Sequence, residues 1–196
     1  MRLVMDHSAL IPCGDKPDYE KEAIRLLGNA LPRLNAILYA SYRYLKTLAS
    51  VCAREWRRHH PLPKLQASLD RILRELLELA SAKRWQCRDN ILSVRSGVKL
   101  RIHVVARNAL AHVRPSVSSL LSRAVGIGDE DREVLAIAAL AQGYGEEVWL
   151  VSTDVKLLET AEELREKIEL RVNPVEPSEF VAIVGLWRAS LGHEDA

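Results

Sequence analysis

Hydrophobic residues along this chain follow two spacings, one typical of buried strands and one typical of amphipathic helices. Short apolar runs predict strands at residues 2–5, 36–40, 148–152 and 168–172. Apolar positions at helical spacing, with polar residues opposite, predict helices at about residues 18–28, 42–58, 64–82, 130–142 and 155–167. Strands that alternate with helices indicate a three-layer α/β/α sandwich with a mostly parallel sheet of four to five strands.

The middle of the chain does not fit this alternation as well. Residues 90–104 alternate apolar with polar side chains around Ser96 and Gly97, which favours a hairpin, although residues 101–113 are also compatible with a helix. We therefore predict a single domain over residues 1–180 with a helical and hairpin insertion at about 60–125. Residues 181–196 are expected to form a C-terminal helix and tail.

Composition is that of an ordinary globular protein. The 196 residues are 48% hydrophobic and 28% charged, which suits one α/β domain with its own core. The three cysteines, Cys13, Cys52 and Cys87, are odd in number and widely spaced, so neither a disulfide framework nor a zinc site is indicated. No apolar run is long enough to span a bilayer, and the first residues do not resemble a signal peptide. We expect a cytoplasmic protein with no membrane contact.

Charge is distributed unevenly along the chain. Residues 51–125 carry fifteen Lys and Arg against five Asp and Glu, whereas residues 126–196 carry six against sixteen. Such an asymmetry is expected when one surface meets a polyanion and another gathers carboxylates. Two solvated surfaces that partly neutralise each other would explain it equally well.

Two aspartates come directly after predicted strands. Asp6 follows the first strand and Asp154 follows VWLVST, so parallel strands would bring both to one rim of the sheet, where ligands bind in folds of this class. Carboxylate oxygens are the ligands that Mg²⁺ and Mn²⁺ prefer. Aspartate after a strand is also a common loop and cap residue, so neither position alone identifies a site.

Helical spacing selects a third acid. Asp131 continues the apolar stripe of helix 130–142, whereas Asp129, Glu130 and Glu133 are expected to point progressively away from it. Asp131 is therefore predicted to face inward. The alternative is an acid that stabilises the first helical turn, with Asp129 as the N-cap.

Glu55 is the fourth candidate. It continues the apolar stripe of Leu45, Leu48 and Cys52, so its carboxylate points where burial would be costly without a partner such as a cation. Pairing with a nearby arginine explains the position equally well.

Taken together, these motifs resemble those of PIN-domain nucleases. The similar features are Asp6-His7-Ser8 after the first strand, Asp131 ahead of VLAIA, and Ser152 two residues before Asp154 in LVSTD. The resemblance covers residues 2–8 and about 128–180, and the segment between them only by approximate helix order. No glycine-rich phosphate loop, GxSxG elbow or HExxH motif points elsewhere.

The resemblance implies a metal-dependent endoribonuclease that hydrolyses RNA phosphodiester bonds with a water activated by Mg²⁺ or Mn²⁺. The metal ligands would be Asp6, Asp131 and Asp154. Ser8 and Ser152, with Asp129, would support them, and Glu55 would be the mid-chain catalytic acid. Glu75 and Glu78 on the next predicted helix remain alternatives to Glu55.

The resemblance and the basic segment also indicate partners. RNA phosphates are expected to contact Arg54, Arg57, Arg58 and Lys64. A homodimer and an antitoxin or ribonucleoprotein partner are compatible with the family. The alternative function is a PIN-like module that binds RNA or protein without cutting.

Overall fold

A computed structural model describes residues 1–12, 15–31, 34–59, 71, 74, 101–143 and 147–186. Within these ranges lie five strands: β1 (Arg2–Met5), β2 (Ile37–Ser41), β3 (Arg101–Ala106), β4 (Val148–Val151) and β5 (Val172–Val175). The same ranges hold six α-helices: α1 (Asp18–Ala30), α2 (Tyr42–His59), α3 (Pro115–Arg123), α4 (Asp129–Gln142), α5 (Val155–Ile168) and α6 (Pro177–Ile183). Short 3-10 helices follow β1 at His7–Ala9 and β3 at Ala109–Ala111.

The five strands form one parallel sheet in the order β3-β2-β1-β4-β5. The chain moves outward from β1 to β2 and β3, then returns to the other side of β1 for β4 and β5. Because parallel crossovers are right-handed, these opposite directions put helices on both faces of the sheet. The expected three-layer α/β/α sandwich is therefore confirmed, and the strand order reverses between β1 and β4.

Helix α4 is the centre of one helical layer. It contacts all five strands, and its segment 134–138 is fully buried. This segment is apolar at every position because the sheet covers one side of the helix while α3 covers the other. No helix in the described ranges is long and apolar enough to cross a membrane.

The last strand begins later than the sequence pattern predicts. Ile168 still belongs to α5, and Glu169 ends that helix in the left-handed conformation, with φ of 52°. The strand runs over Val172–Val175 instead of residues 168–172. Pro174 is tolerated there because β5 is an edge strand of the described sheet and can lack one ladder donor.

The segment expected to be an insertion contributes to the main layers. Strand β3 pairs in parallel with β2, so the helical interpretation of residues 101–113 is wrong, and α3 packs on α4 and α5. The part of the expected insertion over residues 101–125 thus packs with the main sheet and helices. Residues 90–100, the predicted helix 64–82 apart from Arg71 and Arg74, and the tail after residue 186 lie outside the described residues.

Candidate active site

Three aspartates lie at the carboxyl edge of the sheet, where the strand order reverses. Asp6 directly follows β1, Asp154 follows the adjacent strand β4, and Asp131 lies in the first turn of α4. The crevice beyond a reversal of strand order is where open parallel sheets bind ligands. The fold therefore brings the three predicted aspartates to the edge that such ligands use.

Asp6 is buried and held by protein donors. Its Oδ1 accepts the N–H of His7 at 2.6 Å, and its Oδ2 accepts the N–H of Ser8 at 3.2 Å and the hydroxyl of Ser152 at 3.1 Å. Only 7% of the residue is exposed. These contacts fix the carboxylate and use three of its roughly four acceptor positions.

The two serines tie the ends of β1 and β4 together. Ser8 Oγ lies 3.2 Å from Ser152 Oγ and accepts the N–H of Thr153 at 3.0 Å. Ser152 Oγ, which donates to Asp6, also accepts the N–H of Asp154 at 2.9 Å. Ser152 thus contacts both strand-end aspartates and holds them in a fixed relation.

Asp131 and Asp154 each keep one oxygen available. Asp154 is the N-cap of α5, where its Oδ1 accepts the N–H of Leu157 at 3.1 Å. Asp131 Oδ2 accepts the N–H of Gly128 at 2.8 Å. The second oxygen of each carboxylate accepts no hydrogen bond from the described part of the chain.

The charges of Asp6 and Asp154 act on the carboxyl group of Asp131. Burial raises the pKa of Asp131, the hydrogen bond from Gly128 opposes this shift, and the negative charges of Asp6, Asp154 and Glu130 raise the pKa further. A cation in this field would lower the repulsion.

The carboxylate oxygens of these aspartates are of the type that divalent metals such as Mg²⁺ bind. Among the described residues, no three His, Cys, Asp or Glu side chains are already grouped as a metal site. Mg²⁺ needs only one or two protein carboxylates, because it keeps several of its waters. The free oxygens of Asp131 and Asp154 provide hard ligands of that kind, and Asp6 adds fixed negative charge.

On the α2 side, the end of β1 meets an aromatic residue that the sequence analysis did not identify. Tyr44, in the first turn of α2, is buried and stacks on His7 with the ring centroids 4.9 Å apart. Its hydroxyl donates to the carbonyl of Met5. Tyr44 lies four positions before the buried Leu48, and this helical spacing predicts that Tyr44 packs in the core. It does not predict the contact with His7.

Glu55 is not among the residues that the described structure brings to this edge. It lies eleven positions after Tyr44 on α2, about 16 Å farther along the helix axis at 1.5 Å per residue. Its side chain is outside the described part of the structure and its role stays a prediction, as do those of Arg57, Arg58, Lys64, Glu75 and Glu78. Arg54 is exposed on α2.

Glu133 was expected to point away from the core, and this was wrong. It is 2% exposed and accepts the hydroxyl of Ser41 at 2.5 Å and the N–H groups of Ala109 at 2.7 Å and Leu110 at 3.4 Å. The 3-10 helix after β3 also packs against α4, and this contact covers Glu133. Glu133 joins the ends of β2 and β3 to α4.

The acids before Asp131 do face solvent. The side chain of Asp129 is 73% exposed and pairs with Arg132 at 3.1 Å, while that of Glu130 is 61% exposed. The cap position of α4 is Gly128, not Asp129, and Asp131 reaches back to the Gly128 N–H. Asp129 therefore contributes an exposed ion pair and no contact to the other aspartates.

The site thus consists of three aspartates with two bridging serines, supported by Tyr44 on one side. No protein-family model, no curated protein and no solved structure matches this chain.

Proposed function

We propose that this protein is a divalent-metal-dependent endoribonuclease of the PIN-like type, which hydrolyses RNA phosphodiester bonds. The observation that carries the proposal is the placement of Asp6, Asp131 and Asp154 at the reversal of strand order, with the charges of Asp6 and Asp154 acting on Asp131. Structural cap residues would need no such convergence, because each would stabilise its own helix independently.

Each acid has a distinct role in the proposed reaction. Asp131 and Asp154 offer their free oxygens to the metal, while Asp6 keeps its negative charge beside them. When bound, Mg²⁺ or Mn²⁺ supplies a water of lowered pKa and neutralises charge on the phosphate. Ser152 maintains the relation of Asp6 to Asp154 through its two hydrogen bonds.

RNA is the proposed substrate because the basic residues are concentrated in one part of the chain. Residues 51–125 have a formal excess of ten positive charges, and Asp6, Asp131 and Asp154 belong to the segments on either side. A basic surface beside a metal site would hold a polyanion over the carboxylates.

Cleavage of an end-labelled RNA tests the proposal. Purified protein is incubated with Mn²⁺, with Mg²⁺ or with EDTA, and the cleaved ends are mapped. We expect cleavage only with a divalent ion, and loss of cleavage to background in Asp131→Asn and in Asp154→Asn. Asp129→Asn is the matched control, since it removes a neighbouring acid on α4 that pairs with Arg132, and it should cleave like the wild type.

Thermal unfolding gives an independent readout. Mn²⁺ should raise the melting temperature of the wild type and of Asp129→Asn by binding the folded state, and it should not raise that of Asp131→Asn. Cleavage that is indifferent to EDTA, or that survives in both aspartate variants, would contradict the proposal.

One observation favours a second candidate, a module that binds RNA or protein without cutting. Asp6 already accepts three hydrogen bonds from the protein, and the described side chains are not grouped as a metal site. That module would bind its partner with no divalent-dependent cleavage and with no Mn²⁺-dependent rise in melting temperature.

A further inference from the structure

Beside the aspartates lies a small exposed surface, here called the rim, formed by Val125, Gly126, Val155 and Lys156. Val125 is 85% exposed and Val155 is 59% exposed. The rim joins the loop before α4 to the first turn of α5. A Cβ on Gly126 would lie 3.2 Å from the Lys156 Cε, so the loop passes directly over the lysine stem.

The rim residues are close in the chain to two of the acids. Val155 and Lys156 directly follow Asp154, and Gly126 is two residues before Gly128, which donates to Asp131. Gly126 has a φ of 88°, a conformation that suits glycine and few other residues. The backbone is therefore bent at this point so that the loop and Lys156 lie together next to the site.

Folding does not account for the residues placed on the rim. Lys156 lies in the first turn of α5, where the helix macrodipole disfavours a cation. Its ion pair with Glu159, at 3.6 Å, is exposed on both sides and is therefore weak. Val125 and Val155 add apolar surface that the fold leaves uncovered.

We propose that the rim binds the RNA strand that enters the site. Lys156 contacts a phosphate next to the one that is cleaved, and Val125 and Val155 contact the adjoining ribose and base. Single-stranded RNA presents this combination of charge and apolar faces, and a cation on the rim offsets the repulsion between the strand and the aspartates. This inference rests on the proposed function, because it gives the rim the same substrate.

Lys167 provides a matched control on the same helix. Its side chain is 54% exposed, against 55% for Lys156, and it also pairs with a glutamate, Glu163. It lies in the last turn of α5, where the macrodipole favours a cation. Lys156→Ala and Lys167→Ala therefore remove similar side chains from opposite ends of one helix.

The test is binding of a fluorescent single-stranded RNA, measured by anisotropy in EDTA over a range of salt concentrations. Lys156→Ala should bind several-fold more weakly, with a salt dependence reduced by about 0.7 in the log–log slope, as expected for one lost phosphate contact. Its melting temperature should stay level or rise. Lys167→Ala should bind like the wild type. The double variant Val125→Ser, Val155→Ser should weaken binding without changing the slope, because no charge is lost.

Three outcomes would overturn the inference. One is equal binding and equal salt slopes for the two lysine variants. Another is a lack of RNA binding by the wild type. The third is a sedimentation coefficient of the double valine variant that differs from that of the wild type in the absence of RNA. This would show that the rim is a protein–protein interface. If the wild type cleaves RNA but Lys156→Ala and Lys167→Ala bind RNA equally well, the role of the rim is refuted and the nuclease proposal is not. If RNA binding depends on Lys156 but no cleavage occurs, the nuclease proposal is refuted and RNA binding by the rim is not.

Discussion

Replacing Glu133 by alanine removes the carboxylate that joins α4 to the ends of β2 and β3. The residue accepts hydrogen bonds from Ser41, Ala109 and Leu110. Ser41 and Ala109 are both fully buried, so water cannot take the place of the lost acceptor at either of them. We expect this substitution to be far more destabilising than that of an ordinary surface glutamate.

The magnitude follows from the donors left without a partner. Each buried donor that loses its acceptor costs about 1–3 kcal/mol. Two such donors cost about 2–6 kcal/mol, and the variant recovers part of this because it no longer buries a polar carboxyl group. We expect the free energy of unfolding to fall by about 2–4 kcal/mol, which lowers the melting temperature by about 5–15 °C in a domain of this size.

Urea unfolding followed by circular dichroism measures this change. Glu166→Ala, an exposed glutamate on α5, is the control and should alter the free energy of unfolding by less than about 0.5 kcal/mol. Glu133→Gln keeps one acceptor oxygen and should fall between the alanine variant and the wild type. A Glu133→Ala variant within about 1 kcal/mol of the wild type would refute the assignment of this carboxylate as the acceptor that the buried donors require.

Two further predictions concern pH and the backbone. Burial, and then the charge of Arg2, lower the pKa of His103 below its usual value of 6.5. As the pH falls, His103 therefore becomes protonated in the unfolded chain before it does so in the folded chain. The contribution of His103 to the free energy of unfolding should be fully present above pH 6.5 and should decrease below it. In urea titrations at pH 5 to 8, His103→Gln should remove that part of the pH dependence. An unchanged pH dependence would contradict the lowered pKa. Gly126→Ala should lower the melting temperature more than Gly185→Ala: both glycines have positive φ, but only at Gly126 does the added Cβ meet a side chain, that of Lys156. Equal losses would mean that the lysine stem moves aside freely.

The layout of the fold was predictable because hydrophobic spacing reflects burial. Apolar runs at β1, β2 and β4 mark strands covered on both faces, and the helices between them require parallel pairing. The position of Asp6 and Asp154 at one edge follows from this pairing, since the carboxyl ends of parallel strands share an edge. The start of β5 was misplaced because its Pro174 is unusual within a strand and is tolerated only at an edge.

The surroundings of the acids were not predictable in the same way. Ser152 donates to Asp6 across 146 positions of the chain, and Glu133 accepts from Ser41 across 92. Spacing within one helix indicates which face is apolar, but not what a second layer places against the opposite face. Tyr44 was missed for the same reason, since its contacts with Met5 and His7 exist only once α2 has packed beside β1.

The sequence by itself determined that β1, β2 and β4 alternate with helices, and the edge of the sheet at which the strand-end aspartates emerge, because both depend on local periodicity and on the geometry of parallel pairing. Only the tertiary structure decided that burial raises the pKa of Asp131 and that the charges of Asp6 and Asp154 raise it further. It also decided that Ser152 joins those two acids and that Glu133 is buried. These properties depend on distances between segments far apart in the chain, and on which polar groups lose water when the layers pack together.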